Sequence, residues 1–143
     1  MMNKILIGIK AIGGSVLTFF VYVLGGYDIA LECLLLAMAI DYLSGVSQAF
    51  YNGNVDSKVG FKGFLKKFGI ILLICLSVLI DKAVGSNGLI RTWAIYYCVA
   101  TEGISITENL GKMNILVPQF IKDKLEQLKD KEGEWYEYIS IYS

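Results

Sequence analysis

The chain has 143 residues, of which 55% are hydrophobic and 18% are charged, and its formal net charge is zero. A soluble domain carries about a quarter charged residues, so this composition, with its apolar residues gathered in blocks, is typical of a membrane protein. The balanced charge gives no reason to expect nucleic-acid binding, and the absence of histidine removes the usual general base and the commonest metal ligand.

Four apolar blocks follow one another along the chain, each close to the ~20 residues that a helix needs to cross a bilayer. They predict an all-α fold, an integral membrane helical bundle with three or four transmembrane helices in a transmembrane domain of residues 1–110. The predicted spans cover residues 5–24, 29–51, 64–84 and 89–106. Gly-Gly-Tyr-Asp, and no A-x-A cleavage site, follows the first block, so a retained span is expected there rather than a signal peptide. A three-span version, with the first block at the membrane surface, stays open.

The remaining residues, 111–143, are predicted to form a cytoplasmic amphipathic tail. In "VPQFIKDKLEQLKDK", Pro118 suits the first turn of a helix, and Ile121, Leu125 and Leu128 recur on one helical face. We therefore expect a short amphipathic C-terminal helix.

Lysines are concentrated between the second and third blocks and again in the tail, whereas the turn between the first two blocks has none. Positive residues stay on the cytoplasmic side of a membrane. The protein is therefore expected to be a multi-pass protein of the bacterial (host) cytoplasmic membrane with a cytoplasmic C-terminus. The expected cytoplasmic basic loop contains Lys58, Lys62, Lys66 and Lys67.

Polar residues interrupt the second and fourth blocks. Asp41 stands in the apolar stretch "LAMAIDYLSGVSQAF", where an aspartate costs roughly 2.5–3.5 kcal/mol to insert. Both blocks carry small and polar residues at helical spacing, and such a face requires protein or water rather than lipid. The residues predicted to line a pore or a helix interface are Asp41, Ser44, Gly45, Gln48, Glu102, Ser105, Glu108 and Asn109. Stripes on several thin helices indicate a homo-oligomer around a wet interior, while a role in packing alone stays open.

The sequence contains no motif for catalysis, a cofactor or a metal. Cys33, Cys75 and Cys98 lie in apolar runs without C-x-x-C spacing and are expected to be small buried hydrophobes. The glycines of "SKVGFKGFLKK" lack the spacing of a phosphate-binding loop. We therefore expect no cofactor, no bound metal and no enzymatic activity.

Five motifs occur in order between Cys33 and Asp130: "AIDYLSGVSQAF", "SKVGFKGFLKK", "SVLID", "TEGISITENLGKM" and "VPQFIKDKLEQLKD". This ordered set resembles the toxin-secretion/phage-lysis holins of Gram-positive phages and prophages. The resemblance implies a small membrane protein that accumulates harmlessly and then assembles lesions at a set time. A lesion lets a murein-degrading endolysin, or in some relatives a toxin, cross the membrane. The family is often drawn with three spans, so the four-segment interpretation departs from it.

The resemblance implies several partners: further copies of the chain, the lipid bilayer, an endolysin or toxin as passing cargo, and an antiholin as an optional regulator. Two alternatives stay open at this stage. An antiholin, which inhibits lysis, would share the same pattern. A small oligomeric ion channel or membrane scaffold would also carry polar stripes, but it would pass no protein.

Overall fold

The computed structural model describes the backbone of residues 2–53 and 57–142 and the side chains of residues 13–53 and 60–130. Within these ranges the chain forms helices and turns and contains no strand, which confirms the all-α prediction there. The helices are α1 (Met2–Val23), α2 (Ile29–Tyr51), α3 (Ser57–Val84), α4 (Leu89–Lys112) and α5 (Gln119–Tyr142). Each apolar block lies in its own helix, and α5 is longer than the short helix expected from the sequence.

The turn between α1 and α2 is built from glycine and aspartate. Gly25 and Gly26 have φ angles of +82° and +103°, and the Gly26 amide donates to the Val21 carbonyl at 2.9 Å. Such left-handed residues end a helix by satisfying its last carbonyls. Asp28 then begins α2, because its carboxylate accepts a hydrogen bond from the Leu31 amide at 2.8 Å.

Helix α4 is the centre of the described bundle, since α2, α3 and α5 all pack against it. Buried apolar side chains form a small core around it. The members of this core are Leu24, Leu31, Leu34, Ile74, Ile95 and Cys98. In a bilayer, close packing and polar contacts hold helices together more than the hydrophobic effect does, so the polar contacts between these helices carry particular weight.

Large apolar side chains cover the outside of α1, α2 and α3. Examples are Leu17, Phe20, Leu43, Phe64 and Leu79, each more than half exposed. An apolar surface this extensive requires lipid or another protein to cover it. Of the described helices, α2 over Ile29–Tyr51 and α3 over Gly60–Val84 are long and apolar enough to cross a membrane.

Two expectations from the sequence are corrected by the fold. The four lysines assigned to a basic loop all lie in α3, which begins at Ser57, and no proline interrupts the helix between them and the apolar segment. Cys98 is buried as expected, whereas Cys75 is only half-buried and Cys33 is exposed. Cys33 lies on the side of α2 away from Leu31 and Leu34, the residues through which α2 enters the core.

Candidate functional site

Three charged side chains from three different helices meet inside the bundle. The Lys67 ammonium of α3 donates to the Asp41 carboxylate of α2 and to the Glu102 carboxylate of α4. The Lys67 side chain is 12% exposed and the Glu102 side chain 0% exposed. We refer to Asp41, Lys67 and Glu102 as the charge cluster. A charge in a helix bundle is tolerated when it is paired in this way, so the cluster ties α2, α3 and α4 together.

Neighbouring polar residues complete the hydrogen bonding of Asp41. The Asn109 side-chain amide donates to the Ser44 hydroxyl at 3.0 Å and to Asp41 Oδ1 at 3.3 Å. Gly45 lies beside this contact, and a Cβ at its position would lie 3.5 Å from Asn109 Nδ2. The polar faces of α2 and α4 therefore contact each other within a single chain.

Glu102 is the least satisfied member of the charge cluster. Its Oε2 accepts from Lys67, but its Oε1 is buried without a hydrogen-bond partner. The Lys66 ammonium lies 3.6 Å from that oxygen, and the Lys66 side chain is 52% exposed. With Lys66 included, two cations face two carboxylates. Because water-exposed Lys66 contributes little, the net favourable pairing depends mainly on Lys67.

The structure brings together some of the predicted residues and leaves others apart. Asp41, Ser44, Gly45, Glu102 and Asn109 surround one another as described above. Gln48 and Ser105 are half-buried, Glu108 is exposed beside α5, and Lys62 is exposed on α3, while the Lys58 side chain lies outside the described side chains.

Lys67 is the functional residue that the sequence analysis placed wrongly. We expected it in a cytoplasmic loop, whereas its ammonium lies inside the bundle between two carboxylates. The helical spacing contained a signal: Lys67, Ile74 and Asp81 recur at intervals of seven, and Ile74 and Asp81 are buried. Residues at this spacing share one side of a helix, which predicts that Lys67 faces the same neighbours.

A second polar site lies at the opposite end of the bundle and is centred on Arg91. Its Nε donates to the Leu24 carbonyl at 2.6 Å, and its other two nitrogens donate to Asp28 at 2.6 and 3.3 Å and to the Gly26 carbonyl at 3.0 Å. The guanidinium lowers the pKa of Asp28 below its usual value by hydrogen bonding to its charged form. Gly25 allows this close approach, because a Cβ there would lie 2.8 Å from the Arg91 side chain.

Asp81 of α3 supports the same site by capping α4. Helix α4 starts after Gly88, which has no side chain to accept from the first amides. The Asp81 carboxylate accepts instead from the Ile90 amide at 3.0 Å and the Arg91 amide at 2.8 Å. Arg91 therefore links the α1–α2 turn to the junction of α3 and α4.

These two sites are suited to holding helices together rather than to catalysis. Among the described residues, no group of three or more histidine, cysteine or acidic side chains is arranged to hold a metal ion. The charge cluster is largely buried in one chain, and Lys67 pairs there with carboxylates of two other helices.

The apolar helices and the internal charge pairs define a small helical membrane protein. The model of the bacteriophage holin family matches residues 18–130, and the chain belongs to this family. The chain is 28% identical to a probable holin of Bacillus phage phi105 over 73% of its own length and 77% of that protein. Family membership suggests a non-enzymatic protein.

Other relatives come from Gram-positive bacteria. An uncharacterized protein of Listeria monocytogenes is 35% identical over 80% of this chain and 82% of its own length. An uncharacterized 14.9 kDa protein of the nagH 3' region of Clostridium perfringens is 33% identical over 91% of this chain and 96% of its own length. No solved structure matches the chain.

Proposed function

We propose that the protein is a phage holin that oligomerises in the bacterial cytoplasmic membrane and forms lesions through which an endolysin or a toxin crosses. The family match and the similarity to a probable phage holin support this function. The single structural observation that supports a lesion is the buried charge cluster. It supplies charged side chains on the inner faces of α2, α3 and α4, and an oligomer that separates these helices would expose them to water.

The proposed mechanism starts from chains whose polar faces are covered. In a single chain, α2 and α4 bury Asp41, Ser44 and Glu102 against each other, so the outer surface that meets lipid is apolar. Buried ion pairs carry a large desolvation penalty that contact with water removes. When many chains gather, contacts between copies replace the contacts between α2 and α4 in each chain, and the polar faces turn toward a water-filled lesion.

The proposed topology places the lysine-rich start of α3 and the C-terminus on the cytoplasmic side. Lys62 and Lys66 are exposed there beside Phe61 and Phe64, which are also exposed. Aromatic residues favour the lipid–water interface, and lysines are attracted to anionic lipid on the cytoplasmic leaflet. α1 and α4 complete a four-span bundle in this proposal.

Inducible expression in a bacterium, with and without an endolysin, tests the function. We expect abrupt lysis when both proteins are produced, and, without endolysin, leakage of a cytoplasmic reporter enzyme into the space outside the membrane. If the protein caused no lysis by itself but delayed the lysis that another holin produces, it would be an antiholin instead. Loss of ions without loss of the reporter enzyme would identify a channel. Either result would overturn the proposed holin function.

A further inference from the structure

Helix α5 lies against α4 in the same arrangement in which the charge cluster is buried. α4 ends at Lys112, and α5 begins at Gln119 and packs back along α4. The half-buried Leu125 of α5 sits at Gly103, where a Cβ would clash with the Leu125 side chain. Glycine at position 103 is therefore what admits Leu125, and we call this contact the Gly103 notch.

The Gly103 notch and the charge cluster lie on the same turn of α4. Glu102, which pairs with Lys67 of α3, immediately precedes Gly103. Successive residues of a helix point about 100° apart, so the two contacts are made on different sides of α4. α2 and α3 cover the side of the charge cluster, and α5 covers the side of the notch. This turn of α4 is consequently enclosed by helices of its own chain.

Of the three helices that pack against α4, α5 is the least firmly attached. None of the core residues named above belongs to the described side chains of α5, residues 119–130. Within that range Leu125 and Leu128 are half-buried and the others are exposed. An element with few buried apolar contacts opens at a lower free energy than the core does. We therefore expect α5 to be the first of these helices to leave α4.

Between the Gly103 notch and the connecting turn, an open groove separates α4 from α5. The groove is lined by Ile104, Thr107, Glu108, Gly111, Lys122 and Glu126. On α4, Gly103, Thr107 and Gly111 recur at intervals of four and so share one side of the helix. Small residues let another helix approach closely within a membrane protein, and Leu125 already occupies this surface at the notch. Departure of α5 would leave a surface of α4 that is shaped for a helix.

We infer, building on the proposed holin function, that α5 is an autoinhibitory latch: it occupies the surface of α4 through which a second copy of the chain packs when lesions assemble. The short connection of residues 113–118 joins the latch to this surface. A helix attached in this way competes at an effective concentration on the order of millimolar. Second copies therefore displace α5 only when the protein is crowded in the membrane, which makes opening depend on density.

A disulfide between positions 103 and 125 tests this inference by locking the latch. The 3.4 Å separation between a Cβ at position 103 and Leu125 Cγ is close to the spacing that a disulfide requires. Gly103→Cys and Leu125→Cys are introduced together after Cys33, Cys75 and Cys98 have been replaced by alanine. The purified protein is reconstituted, at increasing protein-to-lipid ratios, in phosphatidylethanolamine and phosphatidylglycerol vesicles that enclose a fluorescent protein. Loss of both free thiols on oxidation measures the cross-link.

We expect the oxidised protein to retain the fluorescent protein at ratios at which the reduced protein releases it, and a reductant to restore release. Equal release from the two forms would overturn the inference, and so would thiols that an oxidant fails to join, because α5 would then not be docked. The chain without cysteines is the control and should release equally under both conditions. Failure of the wild-type protein to release at any ratio would instead contradict the proposed function, so the two failures are distinguishable.

An alanine variant of the latch provides an independent readout in cells. Leu125→Ala weakens docking without altering α4, and it should bring lysis forward when it accumulates to the same amount as the wild type. Phe120→Ala is the matched control, because Phe120 is a large apolar residue of the same helix that is 67% exposed. Lysis by Leu125→Ala at the same time as Phe120→Ala, or later, would contradict an inhibitory role for α5.

Discussion

Replacement of Lys67 by methionine is expected to destabilise the bundle more than loss of any exposed lysine. The substitution leaves Asp41 and Glu102 buried without the cation that both of them contact. Removing one partner of a buried ion pair costs about 3–5 kcal/mol, because the remaining charge is uncompensated. We expect the free energy of unfolding in detergent micelles, measured by circular dichroism, to fall by about this amount.

Two further variants make this prediction specific. Lys62→Met alters an exposed lysine of the same helix and should leave the unfolding transition close to that of the wild type. The triple variant Asp41→Asn, Lys67→Met, Glu102→Gln removes all three charges and should recover most of the lost stability. If the Lys67→Met and Lys62→Met variants have the same free energy of unfolding, the charge cluster does not hold the bundle together.

Replacement of Arg91 by lysine is expected to loosen the attachment of α1 although the charge is conserved. Lysine lacks the planar fork through which Arg91 reaches the Leu24 carbonyl, the Gly26 carbonyl and Asp28 together. Each buried polar group that loses its partner costs about 1–3 kcal/mol. Thermal unfolding should therefore shift downward, and chymotrypsin should cleave faster after the exposed Tyr27 in the α1–α2 turn.

The control for Arg91 separates charge from geometry. Asp28→Asn removes the ion pair but retains a residue that caps α2 well. Because the Asp28 side chain is 49% exposed, this change should cost less than Arg91→Lys. An Arg91→Lys protein that is as stable and as protease-resistant as the wild type would show that the fork geometry is not required.

The apolar blocks located the helices well but their ends less well. The second predicted span, 29–51, coincides with α2, whereas α3 begins at Ser57 and α4 continues to Lys112. Hydropathy detects the apolar part of a helix, and both extensions are polar turns that remain helical outside that part. Whether the helices all span the membrane stays a prediction.

The site was only partly predictable, for a physical reason. The residue pattern of α2 and α4 identified Asp41 and Glu102 as members of polar faces. The pattern along one helix does not predict which other helix supplies the cation that pairs with it. Counting positive residues treats every lysine as a surface residue, so Lys67 was assigned to the membrane surface. Arg91 was likewise not assigned to the turn before α2, because its partners there include backbone carbonyls, which no side-chain pattern reveals.

The most direct test of the account is whether the polar face around Asp41 becomes wet when lesions form. Ser44, which is buried and accepts a hydrogen bond from Asn109, is replaced by cysteine in a chain whose native cysteines are alanine. Leu79→Cys, on the exposed apolar side of α3, is the control. In cells without endolysin, a membrane-impermeant thiol reagent should leave Cys-substituted position 44 unmodified before lesions form and modify it afterwards, with position 79 unmodified throughout. Lesions that release a reporter enzyme while position 44 stays unmodified would contradict the account.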